Sequence, residues 1–252
     1  MRAIILAAGM GTRLGALTKD TPKALMQLGD RTLLKRQIDA YRAAGVTEIA
    51  VVRGYLADHI AYDNVTYYDN DNFATTGLVP SLFCAREAMA DGFLFSYADT
   101  TWRPSHVTTL LEALAGTQAM AAVVDVDWRD VYVGRDQHPM SEAECVAVRD
   151  GFVVRAGKCV APDDAHGELA GLGGFSPSAA RAAMQLWDNL LANGLDTAFG
   201  QKETLRYAYV VDIMMHLVEH AGLDFKSVDV HGGWREIDTP QDLERATVDV
   251  DW

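Results

Sequence analysis

Two rhythms of hydrophobic and polar positions alternate along this chain. Residues 3–8, AIILAA, are a short continuous apolar run, the pattern of a strand buried on both faces. LLKRQIDAYRAAG follows with helical spacing and ends at Gly45, a natural C-cap. EIAVVRGY and VTYYDN read as second and third strands, LVPSLFCAREAM as a helix with Pro80 in its first turn, and GFLFSYADT as a fourth strand. HVTTLLEALAG is helical and MAAVVDVDW another strand. This β-α-β-α order predicts an α/β fold: a single doubly wound, mostly parallel mixed sheet flanked by helices.

The rhythm changes after residue 130. ECVAVRDGFVVRAGK is two short alternating runs joined by Asp150-Gly151, a hairpin signal, and LAGLGGFS is a further apolar stretch. These predict a small β-rich insertion. Two helical segments, AARAAMQLWDNLLANG and YVVDIMMHLVEHAG, precede a strand read as FKSVDVHGGWREID. A last helix opens at TPQD, with Thr239 as cap, Pro240 at the first position and Asp242 in the first turn. No repeat or low-complexity tract interrupts the pattern, which predicts one compact domain.

Charge changes this picture at one end. The chain of 252 residues carries a formal charge of -13, which argues against nucleic-acid or anionic-membrane partners. Residues 1–42 hold eight Lys or Arg against three Asp, net +5, leaving -18 for the remainder. A local positive field in an acidic protein suits a small polyanion. The three cysteines lack paired metal spacing and read as reduced thiols. No signal peptide and no run near the ~20 apolar residues of a membrane span are present, so a cytoplasmic location is expected. Oligomeric state is not legible.

The basic segment contains MRAIILAAGMGTRL and then TPKAL. Gly9 and Gly11 follow a strand, but Leu14 stands where a dinucleotide fingerprint needs its third glycine, and EIAVV ends in Arg53 rather than an acid. No Walker sequence is present. A tight turn alone would also explain the glycines. Arg13 and Lys23 point further: backbone N–H groups in a glycine turn, a guanidinium fork and an ammonium together make a triphosphate cradle.

LAAGMGTRL followed by TPKAL resembles the signature of the sugar-nucleotidyltransferase superfamily, and FSYADT and GGWREIDTPQDL are similar to its two metal-aspartate motifs. The resemblance runs from residue 3 to residue 243, and implies one nucleotidyltransferase domain over 1–252. Residues 1–130 would be its nucleotide-binding half; residues 131–252 would bind the acceptor and supply the second metal aspartate. SLFCAREAM and WRDVYVGRDQHPMSEAE resemble the small cytidylyltransferases that activate phosphocholine, aminoethylphosphonate or phosphoglutamine in capsule, surface-glycan and phosphonate pathways.

The resemblance implies a transfer from CTP to a small phosphorylated or phosphonate acceptor, with pyrophosphate released and Mg²⁺ as cofactor. Leu6, Ala7, Ala8 and Gly9 would give main-chain contacts to base and ribose. Gly11, Thr12 and Arg13 would hold the outer phosphates, Lys23 the α-phosphate, and Asp99 and Asp238 the metal. Lys158 would grip the acceptor phosphate. The family's Asn-x-Val-Tyr-Ser-like run is here GLVPSL, with Gly77 for Asn and Pro80 for Tyr, so Thr75, Thr76 and Ser81 become the candidate replacements near the base. For the acceptor, Glu168, Asp212 or Glu236 suit an amine, Arg129 or Arg135 a carboxylate, and aromatic residues such as Tyr97, Trp128 and Tyr209 a quaternary ammonium. The sequence does not choose among them. Two rivals remain: a sugar-1-phosphate thymidylyl- or uridylyltransferase, and an inactive nucleotide-binding regulator. His216 and His220 have metal-ligand spacing on a helix but no third ligand, and read as part of an amphipathic face.

Overall fold

The computed structural model describes residues 1–250 and Trp252. The first unit comprises β1 (Arg2–Ala7), the short hairpin of β2 (Gln27–Leu28) and β3 (Arg31–Thr32), then α1 (Leu33–Ala43), β4 (Ile49–Arg53) and β5 (Thr66–Asp69). It continues through α2 (Leu78–Cys84), β6 (Phe93–Tyr97), β7 (Thr100–Trp102), α3 (Pro104–Leu114) and β8 (Met120–Asp125). The second part has α4 (Arg129–Tyr132), β9 (Cys145–Arg149), β10 (Phe152–Gly157), β11 (Gly167–Phe175), α5 (Pro177–Leu191), α6 (Val210–Ala221), β12 (Phe225–Val230), β13 (Trp234–Glu236) and α7 (Pro240–Asp249).

Nine strands form one mixed sheet in the order β5-β4-β1-β6-β11-β8-β12-β10-β9. β5, β4, β1 and β6 pair in parallel, as do β8 and β12. β11 lies antiparallel between β6 and β8 and joins the two parallel blocks. The alternation of buried side chains explains the continuous apolar run in β1. Ile4 and Leu6 face a core shared with α2, α5 and α6, whereas Ala3, Ile5 and Ala7 face one shared with α1 and α3.

The β-rich segment joins the edge of the main sheet. β9 and β10 form the expected hairpin, with Asp150 and Gly151 both at positive φ (52° and 81°), as a type I′ turn requires. β9 also pairs with β11. Two expectations are corrected. The stretch read as a single strand from Phe225 to Asp238 is broken at Gly232 and Gly233 (φ 60° and 74°). Its second part, β13, leaves the main sheet and pairs with β7. The helix read over 78–89 ends at Cys84 and gives way to a separate 3₁₀ turn, Arg86–Ala88. Among the described residues, no helix is long and apolar enough to cross a membrane.

Candidate active site

The two aspartates singled out in the sequence meet because of the β7–β13 ribbon. Glu236 lies opposite Thr100, so the residues just outside the ribbon, Asp99 and Asp238, come to the same end. The Ile237 N–H donates to the Asp99 carbonyl at 2.8 Å and closes that end. Asp125, fully buried, accepts from the Gly232 N–H and the Trp234 indole N–H, both at 2.8 Å. It thereby fixes the turn that redirects the chain from β12 into β13.

Asp238 is held from the other side by α7. Thr239 and Asp242 form a reciprocal capping box, and the Asp242 carboxylate also accepts from the Asp238 N–H at 3.1 Å. Arg135, itself buried, donates to Asp242 at 2.7 Å and to Glu236 at 3.2 Å. A buried guanidinium thus fixes two acidic groups belonging to the ribbon and the helix beyond it.

The glycine loop supplies the cations. Gly11 has φ 63°, and a Cβ there would stand 2.9 Å from the Cβ of Lys23, so a side chain would displace the lysine. Lys23 follows the extended Pro22 at the start of a 3₁₀ turn. Its ammonium lies between the aspartates, 2.8 Å from Asp99 and hydrogen-bonded to Asp238. Arg13 reaches Asp238 at 2.5 Å from an exposed position. Burial opposes the charge on both partners, but the mutual attraction wins: Lys23 is raised and Asp238 lowered from their ordinary values. Lys158, on the loop after β10, pairs with Glu142.

These groups line one cleft of about 240 Å³. Of the residues expected at the site, Leu6, Ala7, Gly9, Arg13, Lys23, Tyr97, Asp99, Lys158, Glu168, Glu236 and Asp238 line it. Others do not. Ala8 accepts from the Tyr55 N–H, and Gly11 and Thr12 shape the loop behind Arg13. Thr76 and Ser81 both accept from the Asn70 amide, at 3.0 and 2.9 Å, and the Gly77 N–H donates to the Arg206 carbonyl. Asp212 is committed to the start of α6, accepting from the Tyr209 N–H at 2.8 Å and the Gln201 side chain at 2.9 Å. Arg129 stacks on Trp128 and donates to the Pro162 carbonyl.

The cleft also contains His138, Glu142 and Glu144, to which no role was assigned from sequence although Arg129 and Arg135 of the same segment were acceptor candidates. The segment lacks strand or helix rhythm; its density of acids beside a histidine was the available signal. Burial pushes Glu144 and Glu168 up to about 7, and Glu236 well above the ordinary carboxylate value, with Asp238 and Asp99 adding to the last. The Tyr132 hydroxyl donates to Glu168 at 2.7 Å. Burial, reinforced by Arg135, lowers His138, which favours its neutral imidazole. One cleft therefore combines three cations with a cluster of carboxylic groups and the rings of Tyr97, Tyr209 and Trp234.

Asp99 and Asp238 converge on a cation already, the Lys23 ammonium, and offer the oxygen donors that suit a divalent ion beside phosphates. The donor set therefore fits the metal that nucleotidyltransferases generally use.

Comparison with known proteins agrees with this geometry. The chain is 31% identical over 256 residues to the CTP:phosphoglutamine cytidylyltransferase of Campylobacter jejuni, covering 97% of this chain and 98% of that one. It is 28% identical to the 2-aminoethylphosphonate cytidylyltransferase of Lancefieldella rimae, over 86% of this chain and 84% of the relative. The solved CTP:phosphocholine cytidylyltransferase of Streptococcus pneumoniae superposes with a TM-score of 0.72 at 22% identity, covering 98% and 97% of the two chains, and so shares the fold. Residues 3–156 match the MobA-like NTP transferase domain. With glycine loop, paired aspartates and full-length likeness in agreement, the chain belongs to the MobA-like NTP transferase family and is a nucleotidyltransferase.

Proposed function

We propose that this chain transfers a cytidylyl group from CTP to a small phosphate- or phosphonate-bearing acceptor that also carries a cationic nitrogen, releasing pyrophosphate. The observation that carries this reading is the composition of the cleft: Arg13, Lys23 and Lys158 share it with Glu144, Glu168 and Glu236. A nucleoside triphosphate alone would need only the cations. Phosphoglutamine, aminoethylphosphonate and phosphocholine each join an anionic phosphorus group to a cationic nitrogen, and so match the three cations with one end and the carboxylic groups, whose ionised form a cation beside them would favour, with the other. Phosphoglutamine is the first acceptor to test, given the full-length likeness to the Campylobacter enzyme.

In this reading an acceptor oxygen attacks the α-phosphorus in line, and the bond to the bridging oxygen of pyrophosphate breaks. Lys23 leaves its aspartate partners to neutralise the α-phosphoryl oxygens, and Arg13 follows the outer phosphates out as pyrophosphate. Lys158 exchanges Glu142 for the acceptor's phosphorus group. Asp99 and Asp238 would hold Mg²⁺, which when bound withdraws negative charge from the phosphates. No protein nucleophile is needed, since the chain's work is positioning two anions.

Pyrophosphate release tests the proposal. CTP, UTP and dTTP are crossed with phosphoglutamine, aminoethylphosphonate, phosphocholine and glucose-1-phosphate in the presence of Mg²⁺. Turnover confined to CTP and an amine-bearing acceptor is expected. Turnover with UTP or dTTP and the sugar phosphate would replace it with the sugar-1-phosphate reading. Tight CTP binding with no turnover of any pair would favour a nucleotide-binding regulator.

A further inference from the structure

His138 is 3% exposed, and its Nδ1 has no hydrogen-bond partner. An unsatisfied buried polar atom is destabilising, so what faces it matters. Two acidic oxygens do: Glu236 Oε2 at 3.5 Å and Asp238 Oδ2 at 3.6 Å. These separations are long for hydrogen bonds, yet one donor atom from each residue lies within 4.8 Å of the others. Ligand atoms about 2.0–2.2 Å from a shared ion, at tetrahedral or octahedral angles, sit about 3.0–3.5 Å apart. The Tyr132 ring meets the imidazole edge-on at 6.3 Å between centroids and limits its rotation.

We propose that His138, Glu236 and Asp238 form a binding site for a divalent first-row transition ion of the Mn²⁺ class, which shares Asp238 with the Asp99–Asp238 pair but adds an imidazole nitrogen and a second carboxylate in place of Asp99. Two carboxylates alone would suit Mg²⁺; an imidazole nitrogen shifts the preference toward Mn²⁺, Fe²⁺ or Zn²⁺. The three ligands come from two places in the chain, the segment after α4 and the end of β13, and Arg135 ties those places together through Glu236 and Asp242. Arg13 covers the same Asp238 oxygen from the cleft mouth, with 56% of its side chain exposed, and is the group that must swing aside.

The site makes no assumption about nucleotide or acceptor, so its test is separate from that of the proposed reaction. Mn²⁺ is titrated into the full chain without nucleotide and followed by electron paramagnetic resonance, with electron spin-echo modulation to detect a ligating ¹⁴N. One imidazole nitrogen coupling is expected, together with retention of Mn²⁺ against excess Mg²⁺. The coupling disappears in His138→Gln, and affinity falls at least about tenfold, the loss that even outer-sphere changes can cause. Replacing His216 and His220 with Gln changes neither readout. Glu236→Gln keeps the nitrogen signal but weakens binding, which decides the matter should His138→Gln fail to fold. Absence of Mn²⁺ binding, Mn²⁺ bound without a nitrogen signal, or a signal that survives in folded His138→Gln overturns the site. A chain that turns over CTP with Mg²⁺ but gives no nitrogen signal refutes the metal site and leaves the reaction standing.

Discussion

Single residues in this cleft are held by mutual charge, so their replacement has separable effects. Asp238 binds two cations, and in the proposed reaction it also holds the metal. Asp238→Asn is expected to lower kcat by more than about tenfold, or ~1.4 kcal/mol of barrier, in steady-state pyrophosphate release. A smaller change would remove Asp238 from the machinery. Lys158→Ala is expected to raise the acceptor KM more than the CTP KM; the reverse ranking would move Lys158 away from the acceptor. Glu168 makes a pH prediction. Its folded pKa of about 7 lies above the ordinary 4.5. The folded chain therefore binds more protons than the unfolded chain between those values, and Glu168 lowers stability as pH rises through that window. The lowered Asp238 and Asp242 act below their ordinary 3.8 and do not mask it. Urea unfolding at several pH values is expected to show a shallower fall between about pH 4.5 and about pH 7 in Glu168→Gln than in the parent.

At the scale of elements, the ribbon and the last helix behave as one clamp. Arg135 is almost wholly buried against Asp242, and breaking such a pair by removing one partner costs about 3–5 kcal/mol. Arg135→Ala should lose stability on that order in urea denaturation; a loss under about 1 kcal/mol, the range of exposed pairs, would show that the contact is solvated. This clamp also marks the limit of sequence reading. Thr239, Pro240 and Asp242 announced their helix because capping is local chemistry. The Asp150-Gly151 turn was equally local. The departure of β13 from the sheet depends on Asp125, far away in sequence, capturing the Gly232 N–H and the Trp234 indole. Arg135 was visible only as a possible carboxylate binder, because its partners are brought to it by tertiary packing. The departure of GLVPSL from the family's run at Gly77 and Pro80 was likewise visible, but the use of Thr76 and Ser81 by Asn70 was not.

At the scale of the whole molecule, sequence rhythm was sufficient for the alternation of strands and helices, since buried parallel strands read as apolar runs. It could not supply strand order, which rests on pairings between distant segments. The largest consequence of that order lies in β11. This strand fills the gap between β6 and β8 and covers an edge of each. A chain cut after residue 130, where the rhythm of the sequence changes, would carry β6 unpaired on that side. Exposed strand edges recruit other chains. The fragment 1–130 is accordingly expected to aggregate, or to lack a cooperative unfolding transition, whereas a monomeric fragment with a sharp transition would contradict this view. During synthesis the same geometry means that β1, β4 and β6 can pair early, whereas the outer edge of β6 stays uncovered until residues 167–175 have left the ribosome. β6 is made early but completed late: it must wait, edge open, for a strand encoded beyond the β9–β10 hairpin.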